Sequence, residues 1–469
     1  MNIFSDTIAK AIASRLEQEK EFFMEKSLTD NQTTEAPVYF LDLTVENVRC
    51  FGERQTLDLS DGNGKPARWT VLLGNNGTGK TTLLQCLVGL EPNPIFSSSE
   101  TMPRCLPKGG CWETLSVFNR YSDQDFLVKA SKFGNNLLDS GLKKAVEGYE
   151  FRVHELGKGV TLLPFNQIKK LIIYAYGAGQ SMGSGSLEKS YNPDNAAGLF
   201  SEDVSLINAV EWLLQAIFAL QNSEPENKPY FENRYEKVKN MLIDLLPDVE
   251  NLRAKPITIN QSNPSIEFKT PYGWVDLRDL SLGYQTLIAW MVDLAHRLFK
   301  RYPDSDNPLE QPAIVLVDEI DLHLHPKWQR TVINHLTGIF KQTQFIVTAH
   351  SPLIVQSAPF DANIVLLKRE GDQVIIHNDF NVIKGWRIDQ VLTSDLFDLP
   401  TARPPEYDNY LKRQQEILSK PQITSADEQE LKDIGKKLDE LPIVTQHTDD
   451  NEAMKLIRET AELLKQVNL

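Results

Sequence analysis

A glycine-rich stretch carries the clearest chemistry in this sequence. Residues 74–81 read GNNGTGKT, which fits the phosphate-binding pattern G-x-x-x-x-G-K-S/T. Glycines let backbone N–H groups turn toward phosphate oxygens, the lysine neutralises the β- and γ-phosphates, and the last hydroxyl is offered to Mg²⁺. An apolar strand precedes the stretch and an apolar helix follows it, so we predict a nucleotide site at Gly74, Asn75, Asn76, Gly77, Thr78, Gly79, Lys80, Thr81 and Thr82.

Two carboxylates follow a second apolar strand. Residues 313–320 read AIVLVDEI, and ligands collect at the carboxyl ends of strands in open α/β sheets. Asp318 is expected to hold Mg²⁺ together with Thr81, and Glu319 is expected to orient and deprotonate an attacking water. An apolar strand that ends in Asp-Glu is often purely structural. Its place after a phosphate-binding loop favours the nucleotide site.

Two further stretches could complete such a site. Residues 280–285 read LSLGYQ and lead into a long helix. A serine at a helix N-terminus, followed by glycine, can bind an anion through its hydroxyl and backbone N–H groups, although alone it is an ordinary cap. We assign nucleotide contacts to Ser281, Gly283 and Gln285. His350 follows the next apolar strand, where it could reach a γ-phosphate and act in catalysis.

The spacing of apolar residues divides the chain into five segments. The middle segment, residues 91–264, is predicted to contain turn-rich and β-rich structure and an apolar strand within 169–180. A helix from about Val204 and a second helix that forms a hairpin with it complete this segment. A capping box over Ser425–Glu428 predicts a late helix. The segments are an N-terminal helix and linker (1–36), the first part of the nucleotide-binding domain (37–90), the insertion (91–264), the second part of that domain (265–399) and a helical region (400–469).

Composition excludes several classes of protein. The 469 residues are 41% hydrophobic, and 64 acidic residues against 49 basic ones give a net charge of −15. This balance argues against coating nucleic acid or an anionic membrane by charge alone. We find no apolar run of about 18 residues and no secretory signal, so a cytoplasmic protein is expected. The spacing of Cys50, Cys86, Cys105 and Cys111 predicts reduced thiols rather than disulfides or a zinc site.

The four motifs, in this order, resemble the ABC-type ATPases of the SMC, RecF and OLD group. The resemblance implies an α/β fold, namely an ABC-type P-loop ATPase head with an inserted mixed β/helical segment and a C-terminal helical region. It identifies residues 280–285 as the signature, 314–319 as Walker B, His350 as the switch histidine and 321–326 as the D-loop. It also implies that ATP and Mg²⁺ are sandwiched between two protomers, with Ser281 facing the partner's phosphate-binding loop.

Other polar residues near these motifs are assigned from the same resemblance or left open. Gln180 is similar in position to the Q-loop glutamine, which contacts Mg²⁺ and water. His323 and His325 have metal-like spacing, but the family pattern favours packing at a dimer interface. The basic pairs Lys169-Lys170 and Lys327/Arg330 could contact phosphate or could belong to a solvated surface.

The branch that this chain most resembles is the ATPase subunits of Septu-type antiphage systems, whose family partner is an HNH nuclease. The residues after Leu399 contain no Toprim-type carboxylate set. The resemblance therefore implies an ATPase without its own nuclease, forming a homodimer or higher oligomer, with DNA bound by the complex and no membrane contact. The alternatives are a RecF-like DNA-repair ATPase and a nucleotide-dependent scaffold with little turnover.

Overall fold

The computed structural model describes most of the ATPase motifs and parts of the remaining chain. The N-terminal helix expected within residues 1–36 and the last part of the expected helical region (440–469), together with Cys105 and Cys111, lie outside the described residues. Of the cysteines that the structure describes, Cys50 is half-buried and Cys86 is buried. The described residues are 38–89, 126–133, 146–154, 159–163, 173–184, 195–201, 204–246, 248–256, 264–322, 324–378, 385–397, 399, 402, 404–420 and 423–439.

The described residues form the following strands and α-helices. The strands are β1 (Tyr39–Phe40), β2 (Asp42–Glu46), β3 (Gln55–Asp58), β4 (Trp69–Gly74), β5 (Phe126–Phe133), β6 (Val146–His154), β7 (Gly159–Leu163), β8 (Ile173–Tyr176), β9 (Asn251–Ala254), β10 (Ile266–Thr270), β11 (Gly273–Asp276), β12 (Ala313–Val317), β13 (Thr343–Thr348), β14 (Asn363–Glu370) and β15 (Gln373–His377). The α-helices are α1 (Lys80–Gly89), α2 (Ala209–Asn222), α3 (Lys228–Leu245), α4 (Leu282–Arg301), α5 (Pro326–Gln329), α6 (Val332–Ile339), α7 (Pro352–Ser357), α8 (Ile388–Leu392), α9 (Glu406–Leu418) and α10 (Ser425–Asp439).

One sheet positions the predicted site. Its strand order is β15-β14-β4-β13-β12-β8, and all neighbours are parallel except β15, which runs antiparallel to β14. Runs such as AIVLV and TQFIVT are buried along their whole length, as expected for parallel strands covered on both faces. Because the strands are parallel, the residues that follow β4, β8, β12 and β13 meet at one edge.

A second sheet is antiparallel, with strand order β3-β2-β5-β6-β7 and β1 paired with β5. Strands β5, β6 and β7 come from the segment expected to be an insertion. The backbone pairing of β5 with β2 means that this part of the segment continues the sheet begun by residues 39–58. A third sheet, β11-β10-β9, precedes α4.

The helical hairpin is formed by α2 and α3. Its first helix starts later than the apolar spacing predicts, because the Asn208 side chain accepts a hydrogen bond from the Glu211 N–H and caps the helix. The residues from Val204 to Ile207 are therefore not helical. On α3, Tyr235, Val238 and Leu242 lie on one buried face of the helix.

The chain divides into two compact units, and the second begins at Trp386, earlier than the boundary expected at residue 400. Within this second unit, the Arg413 guanidinium on α9 donates to the Glu430 carboxylate on α10 at 2.8 and 3.1 Å. The capping pair of α10 lies one residue before the predicted one: Thr424 N–H donates to Asp427, and Asp427 N–H donates to the Thr424 hydroxyl. No described helix is long and apolar enough to cross a membrane.

Candidate nucleotide site

The loop between β4 and α1 has a backbone that only glycine accommodates at two points. Gly74 and Gly79 have φ angles of +148° and +82°. A Cβ atom on Gly74 would lie 2.5 Å from the Leu367 carbonyl oxygen, and one on Gly79 would lie 2.5 Å from Cys50 Sγ. The loop therefore lies directly against β14 on one side and the turn around Cys50 on the other.

Lys80 begins α1 and is held inside this loop. Its Nζ donates to the carbonyl oxygens of Gly74 (2.8 Å) and Asn75 (3.1 Å), and only 6% of the residue is exposed. Burial lowers the pKa of the ammonium group below its usual value, and the charges of Asp318, Glu319 and Asp321 oppose that shift. The positive charge of Lys80 thus lies inside the loop, near three carboxylates.

Asp318 connects three of the predicted elements. Thr81 Oγ1 donates to Asp318 Oδ2 at 2.7 Å, which joins the start of α1 to the end of β12. Thr348 Oγ1, at the end of β13, donates to Asp318 Oδ1 at 2.6 Å. Both carboxylate oxygens are therefore hydrogen-bonded, and the carboxylate is fixed beside the Thr81 hydroxyl.

Glu319 and His350 lie together at the same edge of the sheet. The distance from His350 Nε2 to Glu319 Oε1 is 3.8 Å, and about a third of each side chain is exposed (34% and 35%). Glu319 has a φ of +53°, an uncommon backbone conformation for a residue with a side chain. The backbone N–H of His350 donates to Asp321 Oδ2 at 3.0 Å, which fixes the turn after β12 against the turn after β13.

The signature residues lie at the start of α4. Ser281 is the N-cap residue, but its side chain makes no capping hydrogen bond, and it is exposed. Leu282 is also exposed, at 55%. Gln285 Nε2 donates to the carbonyl oxygens of Arg278 and Leu280, so its amide supports the loop before the helix. Gly283 is buried and lines a cavity shared with Asp318 and Glu319.

Gln180 lines the same cavity, and its amide is hydrogen-bonded to the backbone. Its Oε1 accepts from Gly177 N–H at 3.0 Å, and its Nε2 donates to the Val204 carbonyl at 3.1 Å. A magnesium contact through Gln180 remains a prediction, and it would require the amide to exchange one of these bonds.

Of the other residues singled out in the sequence, His323, Lys169 and Lys170 lie outside the described residues. His325 Nδ1 accepts from Lys327 N–H at 3.2 Å and caps α5. Among the residues that the structure describes, no group of three or more His, Cys, Asp or Glu side chains is arranged to hold a metal ion.

Two residues at the site were not identified from the sequence. Arg49 Nη1 donates to Thr82 Oγ1 and Gln85 Oε1 on α1, both at 3.1 Å. Thr348 bonds to Asp318 and also accepts from Glu319 N–H at 2.7 Å. A basic residue in a turn and a threonine in an apolar strand give no distinctive signal, although the position of Thr348 just before His350 could have marked it as a strand-end residue.

Comparison with known proteins agrees with this arrangement. The family described as "AAA domain, putative AbiEii toxin, Type IV TA system" matches residues 184–356, and a second AAA-domain family matches residues 42–89. The Septu protein PtuA of Bacillus mycoides is 25% identical over 391 residues, which cover 81% of this chain and 48% of the relative. The Retron Ec83 probable ATPase of Escherichia coli is 36% identical over 185 residues, which cover 38% of this chain and 31% of the relative.

The chain thus spans about half or less of the length of these two relatives. Among solved structures, an SMC head bound to the C-terminal winged-helix domain of ScpA aligns with a TM-score of 0.43 at 17% identity, covering 73% of this chain and 99% of that one. The predicted resemblance to the ATPase subunits of Septu-type systems is confirmed, as is the predicted α/β fold class.

Proposed function

We propose that this chain is a cytoplasmic, ATP-binding and ATP-hydrolysing subunit that controls a separate nuclease in antiphage defence. One observation carries the ATP-binding part of this proposal. The hydroxyl of Thr81 contacts the carboxylate of Asp318 at 2.7 Å although the two residues are 237 positions apart. A hydroxyl after a phosphate-binding lysine and an aspartate at a strand end are the two protein ligands that Mg²⁺·ATP needs in P-loop proteins.

The residues of the loop between β4 and α1 and at the end of β12 fit Mg²⁺·ATP as a ligand. Side chains on Gly74 and Gly79 would collide with their neighbours, so the loop keeps its N–H groups available for phosphate. Lys80 would exchange its two carbonyl partners for phosphate oxygens, and Thr81 and Asp318 would hold Mg²⁺. Bound there, Mg²⁺ would neutralise phosphate charge in the transition state.

Glu319 is the proposed general base. Its carboxylate would take a proton from the attacking water at Oε1 or Oε2. His350 Nε2, at 3.8 Å from Glu319 Oε1, would help to orient the water and the γ-phosphate. General-base catalysis contributes about 10²–10⁴-fold to a rate.

A second protomer is proposed to complete the site. Ser281 and Leu282 are exposed at the start of α4, and an uncapped serine at a helix N-terminus can bind an anion. We propose that each protomer presents Ser281 to the ATP held by its partner, in a homodimer or a larger homo-oligomer.

The nuclease is proposed to be a separate HNH-type subunit, with DNA bound by the complex. Similarity to the Septu protein PtuA supports this assignment. The net charge of −15 gives the chain little unaided affinity for DNA at physiological salt.

The test is to assay the purified chain for ATP hydrolysis and for Mg²⁺- or Mn²⁺-dependent DNA cleavage, with and without a co-expressed HNH protein encoded beside it. We expect hydrolysis by the chain alone and cleavage only with the partner. Lys80→Ala should abolish ATP binding, because the γ-phosphate loses its cationic partner. DNA cleavage by the homogeneous chain that persists in Glu319→Gln would contradict the assignment, as would normal ATP affinity in Lys80→Ala.

A further inference from the structure

Thr348 is the last residue of β13 and is fully buried. It contacts three consecutive residues at the end of β12. Its hydroxyl donates to Asp318 Oδ1 at 2.6 Å and accepts from the Glu319 N–H at 2.7 Å. Its carbonyl oxygen accepts from the Ile320 N–H at 3.0 Å. One residue thus fixes the metal-binding carboxylate, the proposed base and the turn that follows.

The backbone at Glu319 needs such support. A φ of +53° is sterically costly for a residue with a Cβ atom, and it persists only where neighbouring groups hold it. The three N–H groups from Asp318 to Ile320 are each anchored: the first donates to the Tyr176 carbonyl at 2.9 Å, and the other two donate to Thr348. Loss of the hydroxyl would remove the anchor that lies directly at the strained residue.

The two hydrogen bonds of the Thr348 hydroxyl depend on each other. A threonine hydroxyl has one proton and two lone pairs. Donation of that proton to Asp318 leaves a lone pair for the Glu319 N–H, so the orientation of one carboxylate is coupled to the backbone of the next residue. Valine has the same shape as threonine but provides neither bond.

Packing alone does not require a hydroxyl in these strands. Thr343, at the other end of β13, is also fully buried, and within the described part of the chain its Oγ1 has no hydrogen-bond partner. The same holds for Thr70 on β4. Threonine therefore occurs in this core without polar contacts, and Thr348 differs from these two residues by its contacts rather than by its burial.

We propose that Thr348 is a positioning residue for ATP hydrolysis: its hydroxyl sets the geometry of Asp318 and holds Glu319 in the left-handed conformation that aims the base. This inference rests on the proposed ATPase function. It predicts that the hydroxyl matters for turnover more than for nucleotide binding, because the hydrogen bonds of Thr348 Oγ1 go to Asp318 and Glu319, whereas Lys80 Nζ is bound to the loop carbonyls of Gly74 and Asn75.

The direct test compares Thr348→Val with Thr348→Ser and uses Thr343→Val as the matched control. We expect Thr348→Val to lower kcat for ATP by about 10²-fold, the loss typical of a catalytic group displaced by about 1 Å, with the Kd for ATP changed less than about threefold. Thr348→Ser should retain most of the activity because it keeps the hydroxyl. Thr343→Val should behave as wild type, since it deletes a buried hydroxyl from the same strand.

A crystal structure of each nucleotide-free variant gives a readout that does not depend on hydrolysis. We expect the φ of Glu319 to leave the left-handed region in Thr348→Val and to stay there in Thr348→Ser. Should Thr348→Val not fold, Thr348→Ala and Thr348→Ser provide the same contrast, since they differ only in the hydroxyl.

The inference is overturned if Thr348→Val keeps both the wild-type kcat and the positive φ of Glu319. It is also overturned if Thr348→Ser is as impaired as Thr348→Val, or if Thr343→Val shows the same loss. A wild-type chain that does not hydrolyse ATP, with φ still changing as expected among the variants, would contradict the proposed function and leave only the support of the Glu319 backbone by Thr348 in place.

Discussion

At the scale of single residues, the loop between β4 and α1 is the proposed phosphate-binding site. The sequence pattern predicts which residues bind phosphate, and the structure adds why two of the glycines cannot be replaced. Gly77 and Gly79 have nearly equal φ angles, +79° and +82°. A Cβ atom on Gly79 would meet Cys50 and Phe51, whereas one on Gly77 would meet nothing within 4 Å.

Alanine substitutions at these two glycines distinguish the effect of backbone strain from the effect of a steric clash. We expect Gly79→Ala to abolish ATP binding, because the loop must move away from Cys50 and Phe51. Gly77→Ala should weaken binding much less, since it adds only the cost of a left-handed alanine, about 1–2 kcal/mol. Isothermal titration with ATP measures both, and equal losses in the two variants would show that the contact with Cys50 is unimportant.

The sequence is less informative about residues that act through contacts distant in the chain. Asp318 and Glu319 are predictable because they end an apolar strand. Arg49 and Thr348 are not, because their roles depend on partners 33 and 30 positions away. Local spacing contains no information about which turns meet after folding.

At the scale of elements, α4 connects the signature to the sheet through a buried polar network. Asp293 and Arg297 are 2% and 9% exposed, and their Oδ2 and Nε atoms are 2.6 Å apart. The Tyr176 hydroxyl, on β8, donates to the same Asp293 oxygen at 3.0 Å. Burial and the neighbouring Asp293 raise the pKa of Tyr176 well above its usual value, so the hydroxyl keeps its proton and its role as a donor.

The packing of α4 against α2 includes a partly buried histidine. Trp212 Nε1 donates to His296 Nδ1 at 3.0 Å, which requires that nitrogen to be unprotonated. Burial, followed by the charges of Arg234, Lys300 and Arg297, lowers the pKa of His296 well below its usual value of 6.5.

This depressed pKa predicts acid sensitivity. As the pH falls below 6.5, the unfolded chain binds a proton at His296 that the folded chain does not bind, so the free energy of unfolding decreases. Between about pH 7.5 and about pH 5.5 the loss should reach up to about 1.4 kcal/mol. Urea unfolding at both pH values should show a smaller loss in His296→Gln, which keeps an acceptor for Trp212. The same loss in both proteins would contradict the assignment.

The elements themselves are only partly predictable. Apolar runs predict the strands of the parallel sheet, apolar residues on one helical face predict α3, and a long helix is expected where α4 lies. The pairing of β5 with β2 is not predictable, because antiparallel partners far apart in sequence leave no local periodicity. The start of α2 differs from the position that apolar spacing predicts because the Asn208 side chain caps the helix. The cap of α10 is Thr424 rather than the predicted Ser425.

At the scale of the whole molecule, the proposed site needs two chains. Lys80→Ala lacks a working phosphate loop, and Ser281→Arg would fill the anion site presented to the partner. Each variant alone should be inactive. A heterodimer of the two contains one intact site, formed by Lys80 of one chain and Ser281 of the other.

Differently tagged copies, co-expressed and purified through both tags, should therefore recover about half of the wild-type ATPase activity per dimer. The control is a heterodimer of Lys80→Ala with the double variant, which has no intact site and should be inactive. Failure of the first heterodimer to hydrolyse ATP, although both chains are present, would contradict the two-chain site.

The most direct test of the whole account is a single-turnover measurement of ATP hydrolysis by the wild type and by Glu319→Gln, with ATP affinity measured on the same samples. Glutamine keeps the size of the side chain and one acceptor oxygen, but its amide cannot accept the proton of the attacking water. We predict an unchanged Kd for ATP and a hydrolysis rate lower by about 10²–10⁴-fold. Equal rates in the two proteins, or ATP bound by the wild type without hydrolysis, would contradict the assignment of this chain as an ATPase with Glu319 as its base.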